Sequence, residues 1–256
     1  MPTFAACYCT YDDAEWLGYS IGSIYPVVDA IYVLVSSRPW NGPPTSPEET
    51  LRLVKNFPDP AAKIKLVRGD WASEVEQRNF GLALLGRDGH DYCFIIDADE
   101  IYDTQALARM RDFAQEHPQI DCWHSWFIVY WKTPRYRIDP PEKHHPPVFL
   151  RIGTGAFLEY RNCVAGSHEL IPAELGFCHH MSYARSDEQI LRKIRSFSHS
   201  HQVDPQWFEN KWKAWDNDRS ISDLCPYNPG VFERTTEVPE AALPQVLREK
   251  PEWIQS

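Results

Sequence analysis

The sequence is short of several things, and each shortage excludes a class of protein. No run of about 18 apolar residues occurs, so no membrane-crossing helix is predicted. No basic segment followed by a long apolar one opens the chain, so no secretory signal peptide is read. Cations are outnumbered: 26 Lys and Arg stand against 36 Asp and Glu, a formal net charge of −10. Proteins grip phosphate backbones with clustered Lys and Arg that release counterions, so this balance argues against general nucleic-acid binding. No CxxC pair exists among Cys7, Cys9, Cys93, Cys122, Cys163, Cys178 and Cys225, so a structural zinc is not expected. The thiols are odd in number, scattered and often inside apolar runs, where they act as small hydrophobes. That usage predicts a reducing compartment, the cytoplasm.

What is present fits an ordinary soluble domain. The 256 residues allow one large domain or two small ones, with enough chain to bury a core unaided. Apolar residues make up 43% and charged residues 24%. Proline is frequent at 21 and tryptophan at 10. The aromatic excess suits stacking on bases or sugars, but an aromatic core is the preferred reading.

Apolar runs alternate with helical patterns through the first two-thirds of the chain. Strands are predicted at 3–9, 30–35, 63–67 and 91–96, with longer candidates at 120–131 and 147–152. Between them, Leu17, Ile21 and Ile24 recur at helical spacing. Ser46-Pro47-Glu48-Glu49 reads as a helix start, Ser73 with Glu76 as a capping box, and Thr104 opens a further helix. Strands separated by helices predict βαβ units, a mostly parallel sheet and helices on both faces. Residues 133–147, rich in Pro, Arg and His, read as a loop. Ser186 with Gln189 caps a helix, and Asp204-Pro205 caps another bearing Phe208, Trp212 and Trp215. The expected organisation is a domain over 1–224, with a nucleotide half to about 104 and an acceptor half beyond it. A Pro-rich tail follows over 225–256.

The segment richest in chemistry is IIDADE, 95–100. A buried strand ends in Asp97, Asp99 and Glu100, and open α/β sheets bind ligands at the carboxyl ends of their strands. Three carboxylates there invite a hard divalent cation, Mg²⁺ or Mn²⁺, of the kind that bridges to substrate phosphates. The plainer alternative is a solvated acidic turn before the next helix. Arg78, on the preceding helix, suits a phosphate or a base edge. Arg185, Lys193 and Arg195 either meet a diphosphate or form a charged face. His144-His145 and His199-x-His201 read as solvated rather than metal-bound, or the latter pair as complementing a helix C-terminus. Trp207 to Trp215 either closes the core, the preferred reading, or stacks on a sugar.

These pieces in this order resemble the family-2 glycosyltransferases of GT-A fold, most closely the bacterial lipopolysaccharide-core type. CTYDDAEWL (9–17) is similar to the family's opening strand–loop–helix, and RGDWASEVEQRNFGL (68–82) to its Trp…Arg-Asn element. IIDADE resembles its DxD element, while GSHELI (166–171) and HHMSY (179–183) resemble its later His-Glu and His-x-x-Tyr elements. The resemblance implies a GT-A-like Rossmann-type α/β fold with a C-terminal helical cover. It implies a metal-dependent transfer of sugar from a nucleotide-sugar, with UDP the expected nucleotide, to an acceptor hydroxyl with inversion. Thr10, Tyr11, Glu15, Ser36, Arg78, Asp97 and Ala98 would line the nucleotide-sugar pocket. Asp99 and His180 would hold the cation, with His179 the less favoured choice, and Glu169 would be the general base. The loop after the second strand reads SSRPWNG, so Ser36 or Ser37 replaces an acidic residue that many members place against the base. The acceptor is open among glycan, lipid-linked saccharide, protein, small molecule and modified nucleic acid. Two other functions compete: a nucleotidyltransferase that makes a nucleotide-sugar, and a non-catalytic nucleotide- or carbohydrate-binding module. The first is disfavoured because no glycine precedes Gly18 in the loop after the first strand.

Overall fold

The computed structural model describes residues 1–197 and 199–249. Its first half is a run of βαβ units: β1 (Phe4–Thr10), α1 (Ala14–Ile24), β2 (Ala30–Ser36), α2 (Glu48–Asn56), β3 (Ile64–Gly69), α3 (Glu74–Arg87) and β4 (Tyr92–Ile96). These four strands are parallel, in the order β4-β1-β2-β3. Strand alternation divides β1 between two cores. Phe4, Ala6 and Tyr8 meet Leu17 and Ile21 of α1 and Leu51 and Val54 of α2 on one face. Ala5 and Cys7 meet Leu82 and Leu85 of α3 on the other. Burial on both faces explains why β1, β2 and β4 read as unbroken apolar runs. Gly81 brings α3 close: a Cβ there would collide with Cys7 Sγ.

After β4 come β5 (Glu100–Tyr102) and α4 (Thr104–Glu116), capped by Asp103, whose side chain accepts from Ala106 N–H at 2.9 Å. The long strand expected over 120–131 is two strands. β6 (Cys122–His124) and β7 (Phe127–Trp131) part at Ser125-Trp126 and enter different sheets. A continuous apolar run carries no mark of that division, because both pieces are buried.

The expected loop at 133–147 begins instead as β8 (Thr133–Asp139), antiparallel to β7. Its polar alternation is that of a half-covered strand. β9 (Pro147–Arg151) returns to the first sheet beside β4 and β6. The hairpin of β10 (Gly155–Glu159) and β11 (Asn162–Ala165) follows, and then β12 (His168–Leu170), the far edge strand. β13 (Cys178–Tyr183) lies between β7 and β5, and α5 (Asp187–Ser196) carries the predicted capping box at Ser186 and Gln189.

The first sheet therefore runs β12-β6-β9-β4-β1-β2-β3, and the second β14-β8-β7-β13-β5, where β14 is Arg234–Glu237. The predicted α/β class, parallel central sheet and two-sided helical cover all hold. The tail is more ordered than its proline content suggests. β14 pairs with β8, and Leu243 and Leu247 bury against Trp16. Residues 250–256 of that tail lie outside the described residues. Trp207, Trp212 and Trp215 pack around Trp131 on the second sheet, so this segment is core. The helix expected there is a π-helical stretch, Phe208–Lys213, continued by a 3-10 turn, Ala214–Asp216.

Candidate functional site at the carboxyl end of the parallel sheet

Because β1, β2 and β4 are parallel, Thr10, Ser36 and Asp97 all leave the sheet at the same end. The turn from β4 to β5 brings its carboxylates there, Asp97 half-buried and Asp99 and Glu100 buried. Glu100 N–H donates to Asp97 O at 3.1 Å, and Met181 N–H donates to Asp99 O at 2.7 Å, fastening the turn to β13. Ala98 between them packs its methyl into the core, so only its backbone can face a ligand.

The carboxylates are met by cations from four separate segments. Asp97 accepts from Arg78 Nη2 at 2.7 Å and Arg161 Nη1 at 3.1 Å. Arg161 also donates to wholly buried Glu100. Asp99 Oδ2 accepts from Arg185 Nη2 and Lys193 Nζ, both at 3.0 Å, and His180 Nε2 lies 3.5 Å from Asp99 Oδ1. Arg185 and Arg192 reach Glu15 at 3.1 and 3.0 Å. Burial opposes ionisation of Asp97, but Arg78 and Arg161 outweigh it and hold its carboxyl below the ordinary value. Burial also works against Asp99, yet Lys193, His180 and Arg185 hold it well below. Glu100 goes the other way: burial raises it, only partly offset by Arg161. Lys193 is lowered by burial against the pull of Asp99.

Thus Arg78 and Asp97 meet in one cluster and Glu15, Asp99 and His180 in another, the two halves of a network joined by the turn that carries both aspartates. Thr10 and Ser36 are buried beside it: Thr10 Oγ1 donates to Leu34 O at 3.2 Å, and Ser36 Oγ accepts from Arg38 N–H at 3.4 Å. Tyr11 N–H donates to Asp13 at 3.1 Å in the loop above. Asp13 itself is raised to about 6 by burial and the neighbouring charge of Glu15. The two histidines divide as strand alternation requires. His180 faces Asp99, while His179 is buried against Phe177 and Tyr130, with Tyr130 Oη 2.7 Å from its Nδ1.

Glu169 is not brought to this network. It lies exposed on β12, three strands from β4, roughly 14 Å away across the sheet. Through Trp123 and Phe149 it registers with Phe94, three residues short of Asp97. Arg161, Arg192 and Glu142 are functional candidates that sequence reasoning missed. Glu142, in the loop after β8, has its carboxyl raised by burial and pulled back by His180. Arg161 sits at a hairpin tip, where no local pattern links it to a strand end 64 residues earlier. His199 stacks on Tyr227 with ring centroids 4.3 Å apart.

No protein-family model matches this chain, and no curated protein does. Among solved structures it is similar to S. aureus TarS 1-349 in complex with UDP-GlcNAc, at 16% identity and TM-score 0.34 over 51% of this chain. That alignment spans 35% of the neighbour's length. TarS 1-349 alone aligns at 13% identity and TM-score 0.43 over 84% of this chain and 78% of that one. A 4-diphosphocytidyl-2C-methyl-D-erythritol synthase aligns at 16% identity and TM-score 0.40 over 60% and 76%. None of these likenesses reaches a TM-score of 0.5. No helix among the described residues is long and apolar enough to cross a membrane.

Proposed function

We propose that this protein is a glycosyltransferase that uses a nucleotide-sugar, with UDP as its nucleotide, and transfers the sugar to an acceptor hydroxyl. The observation that carries this reading is the network around Asp97 and Asp99, two ionised aspartates at the carboxyl end of a parallel sheet, ringed by Arg78, Arg161, Arg185 and Lys193. Such a ring suits a diphosphate, since Arg and Lys donate several charge-assisted hydrogen bonds to phosphate oxygens. In the reaction the acceptor oxygen attacks the anomeric carbon and the carbon–oxygen bond to the diphosphate breaks. Arg185 and Lys193 are placed to stabilise the charge that develops on that leaving group. The acceptor proton passes to a carboxylate, and Glu142, close enough to His180 to feel its charge, suits that role better than Glu169 at the sheet edge.

The donors for a divalent cation, Mn²⁺ or Mg²⁺, are Asp99 and His180. Their facing atoms, 3.5 Å apart, are too distant for a strong hydrogen bond and open to a shared ligand. His180 Nδ1 is buried without a partner. Bound there, a cation would add Lewis-acid neutralisation of the diphosphate. The competing arrangement is one in which Arg185 and Lys193 suffice.

The test is a thermal-shift panel of nucleoside diphosphates and nucleotide-sugars with and without Mn²⁺ or Mg²⁺. A ligand at 100 times its Kd adds about 2.7 kcal/mol, which for this chain length raises Tm by roughly 5–10 °C. A shift with UDP that needs the cation supports the whole reading. A shift without it assigns neutralisation to the two basic side chains. No shift with any diphosphate overturns the proposal in favour of a binding module for another ligand. Pyrophosphate release from a nucleoside triphosphate would move the chain to the nucleotidyltransferases.

A further inference from the structure

We propose that Cys122, His124, Cys163 and His168 form a soft-ligand metal site of zinc type, distinct from the carboxylate network. The four come from three strands, one of them, β12, the first sheet's edge. Cys122 and His124 are two apart on β6, so they share a face. Parallel pairing sets His168 of β12 opposite Cys122. Cys163 reaches in from β11. Ligand atoms of Cys122, His124 and His168 all lie within 4.8 Å of one another. Cys122 Sγ is 3.2 Å from Cys163 Sγ and 3.8 Å from His124 Nε2, and His124 Nε2 is 3.0 Å from His168 Nδ1. A tetrahedral zinc with ordinary bond lengths needs about 3.8 Å between sulfurs, about 3.6 Å between sulfur and nitrogen, and about 3.3 Å between nitrogens. These three separations are within about 0.6 Å of that geometry, and Cys163 Sγ, which stands outside the group of three whose ligand atoms lie within 4.8 Å, would fill the fourth position by a turn of its side chain.

The surroundings orient the rings. His124 Nδ1 lies 2.7 Å from His145 O. A carbonyl only accepts, so Nδ1 carries the proton and Nε2 turns its lone pair toward Cys122 and His168. Ser167, beside His168, is held by Asp121: Asp121 N–H donates to Ser167 Oγ at 2.9 Å, and Ser167 Oγ lies 3.0 Å from Gln119 O. His168 Nε2 accepts from Ala165 N–H at 3.2 Å, a contact given up when Nδ1 turns its lone pair to the metal. Binding releases the thiol protons of Cys122 and Cys163 to solvent, while both imidazoles stay neutral. Two thiolates with two imidazoles select Zn²⁺ over Mg²⁺ or Mn²⁺, which prefer oxygen. The ion would tie β6, β12 and the β10–β11 hairpin together, and that hairpin's tip carries Arg161. The site is thus a clamp behind the candidate active site, and it does not rest on the proposed transfer reaction.

The experiment uses the full chain, purified with reductant, stripped with chelator and titrated with Co²⁺ and then Zn²⁺. One equivalent per chain is expected, with a thiolate-to-cobalt charge-transfer band and the intense d–d bands of a tetrahedral centre. Zn²⁺ should displace the cobalt. Half-buried Cys163→Ser and exposed His168→Ala should each weaken binding by at least about 10-fold while leaving the chain folded. Asp99→Asn should keep the cobalt spectrum, which separates this site from the carboxylate network. A folded chain that binds no cobalt overturns the proposal, as does a spectrum that Cys163→Ser leaves unchanged. A Cys122–Cys163 disulfide that persists in the reduced, metal-treated protein also overturns it.

Discussion

Arg161 reaches Asp97 from the tip of the β10–β11 hairpin, its Nη1 3.1 Å from Asp97 Oδ2, and the same nitrogen serves buried Glu100. One guanidinium thereby bridges two carboxylates that repel each other. Removing one partner of a buried ion pair costs about 3–5 kcal/mol, because the other charge is left uncompensated. Arg161→Ala is therefore expected to lower stability by that order in urea unfolding. Adding Glu100→Gln, which removes the stranded charge, should recover part of the loss. If the double variant is as unstable as the two single losses summed, the pairing carries no coupling energy.

Asp99→Asn removes the charge that Arg185, Lys193 and His180 surround. Donor turnover should fall at least about 100-fold, the scale on which a positioned transition-state electrostatic group acts. The far-ultraviolet circular dichroism should remain that of the parent. Turnover within a few-fold of the parent would remove Asp99 from the machinery.

Glu169→Gln should leave turnover unchanged, because Glu169 stands exposed at the sheet edge. Glu142→Gln should lower it and abolish the rise of kcat/KM with pH on the acid limb. The opposite result, loss with Glu169→Gln alone, would restore Glu169 as the base.

His179 makes stability depend on pH. Burial lowers its ring to about 3, against an ordinary value near 6.5. The unfolded chain therefore binds the extra proton first. Stability is complete above about 6.5 and is lost as pH falls toward about 3. Between pH 7 and pH 5 the loss from this ring is about 2 kcal/mol. His179→Gln keeps an acceptor for Tyr130 and should flatten that part of the profile. An unchanged slope would place the acid sensitivity elsewhere.

Much of this fold is legible in the sequence. The first four strands and their helices announce themselves through apolar runs, capping residues and helical spacing, all local signals. So does the capping box at Ser186 and Gln189. The break at Ser125-Trp126 and the strand at Thr133–Asp139 do not, since both depend on which sheet the chain joins. The same divide holds in the site. Asp97, Asp99 and Arg78 were recognisable because a strand end and a helix place them. Arg161 and Glu142 are brought in by tertiary folding. Glu169 sat in a motif of the right texture, but edge pairing of β12 carries it away. The Cys122-x-His124 spacing was a readable signal for metal, obscured because the remaining ligands lie about 40 residues on.

Arg185 and Lys193 share a single oxygen of Asp99, so the resting network is a closed circuit of charge. An anion that draws those two side chains toward itself leaves Asp99 under-compensated and raises its appetite for any cation. By linkage, a cation taken up at Asp99 loosens the same two side chains and raises their affinity for the anion by the same factor. Each ligand would thus prepare the place of the other, and one shared carboxylate oxygen would make their binding mutually cooperative.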